Sequence, residues 1–193
     1  SLYYHKEDRT EKYTLDNYLE KELKRNELLG IHQLNDEIFQ LREKIENIVI
    51  PEVLKQREEC ANIFTPKFFY VVNSRMDRND LTNGEKMLNV VKEMIKDHIK
   101  NNPDADELEY NIKSNVYKGV RFGFDSSEEE DGDNGFNGDL EGKRDITALF
   151  EVDPLEGKNK TVKNPCDVLI LVRKKLMGYD NKNLTTVFLD KDI

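Results

Sequence analysis

The sequence predicts an α/β fold in which a parallel β-sheet follows a helical amino-terminal segment. Two continuous apolar runs, 68–72 and 168–172, have the length and the β-branched or aromatic composition of strands buried on both faces. Elsewhere apolar residues recur at spacings of three and four, which is typical of helices that pack one face. Strand and helix alternate from residue 68 onward, and this alternation favours a parallel sheet covered by helices.

Composition and charge limit the class of protein. Cys60 and Cys166 are the only two cysteines in 193 residues and lie far apart, which favours a reducing, cytoplasmic setting. No apolar run approaches the roughly 20 residues that span a bilayer, so we expect no membrane partner. The net charge of −9 argues against a surface that is basic throughout. Much of the acidity lies in 126–141, however, and a basic cluster occupies 173–175.

Residues 1–64 are predicted to form a helical segment, either a helical hairpin or a linker. Thr14 can cap a first helix over 14–29, and Gly30 provides its stop signal. Pro51 is expected to end or kink the following helix near Ile50, after which helix resumes over 52–62.

A stripe of apolar residues marks the second of these helices. Its members are spaced alternately by three and four: Ile31, Leu34, Ile38, Leu41, Ile45 and Ile48. The favoured interpretation is a helix that packs one face on the rest of the protein. The alternative is a coiled-coil arm that docks a partner.

Residues 65–193 are predicted to form the sheet domain. We expect strands at 68–72, 116–124, 168–172 and 185–189, an amphipathic helix ending near 100–103, and a short helix over 144–150. The Gly-rich acidic stretch 126–142 is predicted to be a disordered loop. A calcium loop starting at Asp131 is disfavoured, because Phe136 and Gly142 stand where glycine and glutamate are required.

The end of the chain contains two segments in sequence, Leu176-Met177-Gly178-Tyr179-Asp180 and Leu184-Thr185-Thr186-Val187-Phe188-Leu189-Asp190-Lys191. Together they resemble motif V of the ATP-driven DNA motor subunit of type I restriction enzymes. The family form is Leu-Leu-Thr-Gly-Phe/Tyr-Asp-Ala-Pro, then Leu-x-Thr-hydrophobic-Tyr-hydrophobic-Asp-Lys. This chain departs from it at Met177 and at Asn181-Lys182.

Two further segments extend the resemblance over residues 65–193. The stretch 69–75 is similar to motif IV of superfamily 2 helicases and translocases, and 146–154 is similar to a segment that precedes motif V. The chain thus resembles the second RecA-like domain of such a motor, a parallel-sheet domain of the P-loop NTPase kind.

The resemblance implies a fragment of an ATP-dependent DNA translocase or helicase. The full-length parent would be an ATP-dependent restriction endonuclease that binds ATP and Mg²⁺ and acts on double-stranded DNA with other restriction–modification subunits. This chain contains no P-loop sequence; Gly157-Lys158-Asn159-Lys160-Thr161 lacks the first glycine and the loop length. The arginine-bearing motif VI would lie beyond Ile193. We therefore expect the fragment alone to hydrolyse no ATP and to bind no cofactor.

Candidate site residues fall at predicted strand ends. Gly178, Tyr179 and Asp180 are assigned to the nucleotide cleft or to its coupling with DNA. Phosphate contacts of DNA are assigned to Ser74, Arg75, Ser126, Lys174 and Lys175. No catalytic residue is assigned. No metal site is expected, because the three histidines are isolated in the sequence.

Two other functions stay open at this stage. The chain could be a non-catalytic interaction module that docks a partner through the helix 31–48, with the sheet domain as a scaffold. It could also belong to another superfamily 2 helicase that acts on RNA or DNA. Structural roles are also open for the assigned residues: Asp180 could serve as a turn former, and Lys174 and Lys175 as a solvated surface.

Overall fold

The computed structural model describes residues 15–73, 83–125, 137–140, 144–157, 162–172 and 179–190. The chain divides into two compact units, Ser1–Gln40 and Leu41–Ile193. The architecture is α/β, with a five-stranded, mostly parallel sheet and a helical amino-terminal segment. At this level the predicted fold class is confirmed.

The first helix, α1, spans Leu15–Lys44 and passes through Gly30 without a break. The expectation of two helices separated at Gly30 was wrong. A glycine inside a helix costs only about 1 kcal/mol relative to alanine. The leucines before Gly30 and the apolar stripe after it favour helix on both sides, so the helical hydrogen-bond pattern continues. Within the first unit α1 exposes large apolar side chains, with Leu23 at 65% and Phe39 at 63% exposure.

Pro51 changes the helix type. A π-helical segment, Ile45–Val49, follows α1, and helix α2 spans Ile50–Glu59 with Pro51 in its first turn. Proline lacks the N–H that an α-helix interior requires but is tolerated in a first turn. The irregularity expected near Ile50 is thus confirmed as a π-helical turn. Ile45, Val49, Ile50 and Val53 are buried, whereas Ile48 is 55% exposed.

Five strands of the described chain form the sheet, in the order β2-β3-β4-β1-β5. Their bounds are β1 Lys67–Val72, β2 Val116–Tyr117, β3 Val120–Phe124, β4 Val168–Val172 and β5 Leu184–Leu189. Strands β3, β4, β1 and β5 run parallel, with Phe69 of β1 opposite Leu169 of β4 and Val187 of β5.

The strand predicted over 116–124 is instead an antiparallel hairpin of β2 and β3. Its two turn residues, Lys118 and Gly119, have φ values of 50° and 76°. Two consecutive positive φ angles are characteristic of a type I′ turn, which matches the twist of paired strands. Lysine is uncommon at such a position, which explains why the turn was not predicted.

Helices cover the two sheet faces. Helix α3, Asn83–Asn101, packs against β3, and its first turn approaches so closely that a Cβ on Gly84 would overlap Phe124. The short helix α4, Ile146–Glu151, is capped by Asp145, whose carboxylate accepts the N–H of Ala148 at 2.8 Å. On the α4 side the core contains Phe69, Val71, Leu149, Phe150, Leu169 and Leu171. None of the described helices is long and apolar enough to cross a membrane.

Candidate functional site

The carboxyl ends of three parallel strands lie at one edge of the sheet. Strands β1, β3 and β4 end at Val72, Phe124 and Val172. The candidate phosphate-binding residues follow within three positions of these ends: Ser74, Arg75, Ser126, Lys174 and Lys175. They and Gly178 lie outside the described residues, so their roles stay predictions. The described strands do establish that β1, β3 and β4 end at a common edge of the sheet.

Side-chain amides fix the described backbone at this edge, and a carboxylate there binds two side chains. The side chain of Asn137 bonds to both backbone groups of Phe124, accepting from the N–H at 2.7 Å and donating to the carbonyl at 2.9 Å. Asn83 Nδ2 donates to the Asn73 carbonyl at 3.0 Å. Asp190 accepts from Lys44 Nζ at 3.0 Å and from the Tyr70 hydroxyl at 3.1 Å. Neither Asn137 nor Asp190 was assigned a role from the sequence.

Tyr179 lies against the sheet face that α4 covers. Its ring packs edge-on against Phe69, with centroids 4.7 Å apart, and lies 6.4 Å from the ring of Phe150. Burial raises the pKa of Tyr179, while the hydrogen bond from Asn181 Nδ2 opposes the shift. The ring is level with the third residue of β1, so its aromatic contacts give Tyr179 a packing role.

Asp180 is exposed beside this packed tyrosine. The turn that follows is closed by Asn181, whose side-chain oxygen accepts the N–H of Asn183 at 2.9 Å. Asn181 is thus the turn former, a role that the sequence left open for Asp180. The assignment of Gly178 and Asp180 to a nucleotide cleft stays a prediction.

A second group of polar residues lies at the opposite, amino edge of the sheet. Asp167, immediately before β4, accepts the backbone N–H of Arg121 at 2.8 Å and pairs with Arg57 Nη2 of α2 at 2.9 Å. The buried guanidinium of Arg121 donates to the carbonyls of Asn137 and Asp139, at 2.9 Å each. These contacts connect α2 and the segment before β4 to the first residues of β3.

Lys67, the first residue of β1, is fully buried in the same region. Its Nζ donates to the Cys166 carbonyl at 2.6 Å and lies 5.6 Å from the centre of the Phe150 ring. Burial lowers the pKa of Lys67, and the nearby Asp167 carboxylate opposes that shift. Burial also raises the pKa of the Cys166 thiol to about 12.

Asp153 completes this edge. Its carboxylate accepts the N–H groups of Leu155 at 2.9 Å and Thr65 at 3.2 Å, and the side-chain amide of Asn183 at 3.0 Å. Burial by itself would raise the pKa of Asp153, but these hydrogen bonds outweigh it and the pKa is lowered. Asp153 thereby joins the starts of β1 and β5.

Cavities open at the amino edge. One, of about 340 Å³, borders the Arg57–Asp167 pair, and another, of about 290 Å³, borders Asp153 and Asn183. The sequence predicted a site at the carboxyl edge and missed the amino edge. Of the predicted site residues, Tyr179 and Asp180 directly precede the Asn181–Asn183 turn, which begins β5 beside Lys67 at the amino edge. The available signal was a charged residue directly before each buried run, Lys67 before 68–72 and Asp167 before 168–172.

Neither a metal centre among the described residues nor a similar known protein identifies the site. Among the described side chains, no three His, Cys, Asp or Glu residues are grouped closely enough to hold a metal ion. Comparison with protein-family models, with curated proteins and with solved structures finds no significant match in any of the three.

Proposed function

We propose that this chain is the second RecA-like domain of an ATP-dependent DNA translocase similar to the motor subunit of type I restriction enzymes. It would form half of the ATP cleft and part of the DNA track. The supporting observation is the common edge of β1, β3 and β4. Strand β1, within the segment that resembles motif IV, and strand β4, which precedes the segment that resembles motif V, both end at that edge. Open α/β sheets place their ligands at such an edge.

The proposed division of labour follows from the residues of this chain. In motors of this kind, ATP and Mg²⁺ bind between two α/β domains, and the other domain holds the phosphates and the metal through its P-loop. Gly178 would allow close backbone approach to the cleft, because it has no Cβ. Asp180, which is exposed, would couple that cleft to DNA.

The DNA track would use the residues that follow the strand ends. Lys174 and Lys175 would neutralise DNA phosphates, while Ser74, Arg75 and Ser126 would donate hydrogen bonds to phosphate oxygens. Such contacts recognise the backbone and carry no sequence information. Sequence recognition would therefore belong to another subunit of the assembly.

DNA binding by this chain tests the proposed track. Fluorescence anisotropy with a duplex should show weak binding that falls as salt rises. The double substitution K174Q/K175Q removes two phosphate contacts, so the slope of log affinity against log salt should become shallower by about 1.8. The control K96Q/K100Q removes two charges from α3 and should leave the slope unchanged. Equal slopes for both double variants would contradict the assignment.

ATP turnover tests the role of Asp180. In the intact motor, Asp180→Ala should lower the DNA-stimulated ATPase rate because the coupling carboxylate is lost. Asp104→Ala removes another exposed carboxylate and should leave that rate unchanged. Unaltered turnover in the Asp180 variant would reject the role.

The exposed apolar side chains of α1 favour a second candidate, an interaction module. Leu23, Leu28 and Phe39 are 65%, 61% and 63% exposed within the first unit. In this function the helix would associate with another helix through those side chains. Sedimentation velocity should then show association that L23S/F39S abolishes and that a substitution of the charged residue Lys24 does not. A monomer at all concentrations would exclude self-association through α1.

A further inference from the structure

The larger amino-edge cavity has the size of a small-molecule site. Its volume of about 340 Å³ falls within the roughly 300–1,000 Å³ of typical ligand pockets. Several parts of the second unit contribute to its wall, among them the end of α2, the β2–β3 turn and the segment before β4. The described residues of this wall include none of those assigned above to ATP or DNA, so a ligand site here does not depend on the motor proposal.

The charged groups of the wall are mostly basic. Arg57, Arg121 and Lys163 line the cavity, whereas Asp167 is the one acidic residue among the described residues of its wall. Arg121 and Asp167 are buried, so their charges act in a poorly solvated place, whereas Arg57 is partly exposed and Lys163 is exposed. The excess of positive charge favours an anion.

The guanidinium of Arg57 is held in a fixed position beside the cavity. Its Nη1 donates to the Gly119 carbonyl at 2.8 Å, and its Nη2 pairs with Asp167 at 2.9 Å. These two contacts fix the guanidinium plane from two sides. A guanidinium carries five N–H donors, and these contacts use two of them. The side chain is 30% exposed, so the fixed guanidinium is accessible to a ligand.

The rest of the wall is largely apolar. It includes Phe64, Leu108, Pro154 and Leu155. Small-molecule sites combine such surfaces with a few fixed polar groups that orient the ligand. We propose that this cavity binds a small organic carboxylate with a flat apolar body, whose carboxylate bonds to Arg57 and whose body packs on this wall.

Cys60 provides a local reporter because it lines the cavity and is partly exposed, while the only other cysteine, Cys166, is fully buried. The full chain is treated with an anionic methanethiosulfonate, the sulfonatoethyl reagent, and with the neutral methyl reagent. The rate at which the anionic reagent modifies Cys60 is divided by the rate for the neutral reagent, and this ratio is divided by the same ratio measured for 2-mercaptoethanol. The normalised ratio should be several-fold above one. The net charge of −9 would lower this ratio, so an increase reports the local cavity. A ratio of one or below overturns the proposal.

Protection of Cys60 tests the ligand class. Benzoate should slow both reagents in a saturable manner, and benzamide, which has the same shape without the charge, should not. Arg57→Gln should weaken benzoate protection at least about tenfold, because a hydrogen bond to a charged group is lost. Lys55→Gln, an exposed change on the same helix, should leave it unaltered. Equal protection by benzoate and benzamide would overturn the carboxylate assignment.

A second variant keeps the test valid if loss of the Arg57–Asp167 pair unfolds the chain. Leu108 is 68% exposed and lines the cavity, so Leu108→Trp adds bulk there without removing a buried contact. Benzoate should shift the backbone amide signals of Asn62, Gly119 and Asn164 in NMR spectra of the full chain. Leu108→Trp should abolish both these shifts and the protection of Cys60 by benzoate. Leu23→Trp, an exposed site on α1, is the control and should preserve both. Unchanged benzoate shifts in Leu108→Trp would contradict binding in this cavity.

Discussion

Lys67 is a buried cation whose charge is held by one carbonyl, one aromatic ring and the neighbouring Asp167. Because burial lowers its pKa below the ordinary 10.5, the folded chain releases this proton at lower pH than the unfolded chain does. Across the interval between those two pKa values the unfolded state binds more protons. The contribution of Lys67 to the free energy of unfolding therefore rises with pH through that interval.

We expect this linkage to appear in a comparison with Lys67→Met. Urea unfolding from about pH 7 to about pH 10 should show the wild-type free energy of unfolding rising relative to that of Lys67→Met. Lys96 is 60% exposed, and the same comparison with Lys96→Met should stay flat. A flat difference for Lys67 as well would mean that the side chain is solvated in the folded protein.

Gly123 of β3 lies where the sheet and α4 approach closely. A Cβ at this position would overlap the side chain of Ile146. Gly123→Ala should lower the free energy of unfolding by about 1–3 kcal/mol, the usual range for overpacking. Gly157 has no atom within 4 Å of an added Cβ, so Gly157→Ala should change stability by less than about 0.5 kcal/mol. Equal effects in urea denaturation would contradict the close approach of α4.

At the residue scale, the sequence predicted apolar burial but not polar burial. The runs 68–72 and 168–172 are buried throughout, as their composition requires. Lys67, Arg121 and Asp167 are also buried, each through partners that are distant in sequence, such as Cys166 for Lys67 and Arg57 for Asp167. Periodicity cannot reveal such pairs, because a charged residue is buried only once tertiary contacts supply its partners.

At the scale of elements, the π-helical segment presents Glu46 to the β2–β3 hairpin. The Glu46 carboxylate accepts from the Tyr117 hydroxyl at 2.7 Å and pairs with Lys118. Burial acts to raise the pKa of Glu46, but the hydrogen bonds from Lys118 and Tyr117 outweigh it, so the pKa lies below its ordinary 4.5. The stabilisation is therefore complete above pH 4.5 and is lost as pH falls through the folded-state pKa.

Glu46→Gln should reveal this contribution. At neutral pH we expect a loss of about 1 kcal/mol in the free energy of unfolding, because the group is one-third exposed and solvent screens it. The loss should shrink as the pH falls below 4.5. Glu93→Gln, in an exposed pair with Lys96, should show a smaller change at every pH. A loss that does not vary with pH would indicate that packing, not charge, connects the hairpin to this segment.

Gly30→Ala distinguishes the continuous α1 from the predicted helix stop. In the continuous helix, alanine should raise helicity and stabilise the helix by up to about 1 kcal/mol. At a helix stop, glycine adopts positive φ, and alanine there would be destabilising. Circular dichroism at 222 nm and thermal unfolding measure the sign, with Gly157→Ala as the control outside the α-helices. Reduced helicity in Gly30→Ala would restore the two-helix interpretation.

The predicted elements differ from the observed ones where local signals compete. The strands at 67–72 and 184–189 begin one residue before their predicted starts, because Lys67 and Leu184 already pair with each other across the two strands. Gly30 carried a stop signal that the flanking leucines and isoleucines override. The hairpin was missed because its turn places Lys118 at positive φ, a conformation that lysine rarely adopts.

At the scale of the whole molecule, the sequence predicted that β4, a strand buried on both faces, lies inside the sheet, but the order of the other strands could not be predicted. The central position of β4 between β3 and β1 arises from two crossovers that place sequence-distant strands together. The carboxyl edge could be anticipated, because parallel strands end on the same side. The cavity at the amino edge could not, because it requires α2, the hairpin turn and the segment before β4 to meet.

The division at Gln40 predicts where the chain can be shortened. The second unit, Leu41–Ile193, includes the π-helical segment and α2, whose buried residues are Ile45, Val49, Ile50 and Val53. A fragment of residues 41–193 should therefore unfold cooperatively, with a urea midpoint close to that of the full chain. A fragment of 64–193, which begins near the boundary expected from the sequence, loses all four side chains.

Loss of the four buried side chains should leave the fragment 64–193 without a stable fold. Each buried aliphatic side chain contributes about 1.5–3 kcal/mol, so removing four takes away about 6–12 kcal/mol, comparable with the whole stability of a domain. Circular dichroism of the fragment 64–193 in urea should therefore show no cooperative transition. Cooperative unfolding of 64–193 with an unchanged midpoint would show that α2 is dispensable and that the sheet domain is stable without the amino-terminal helices.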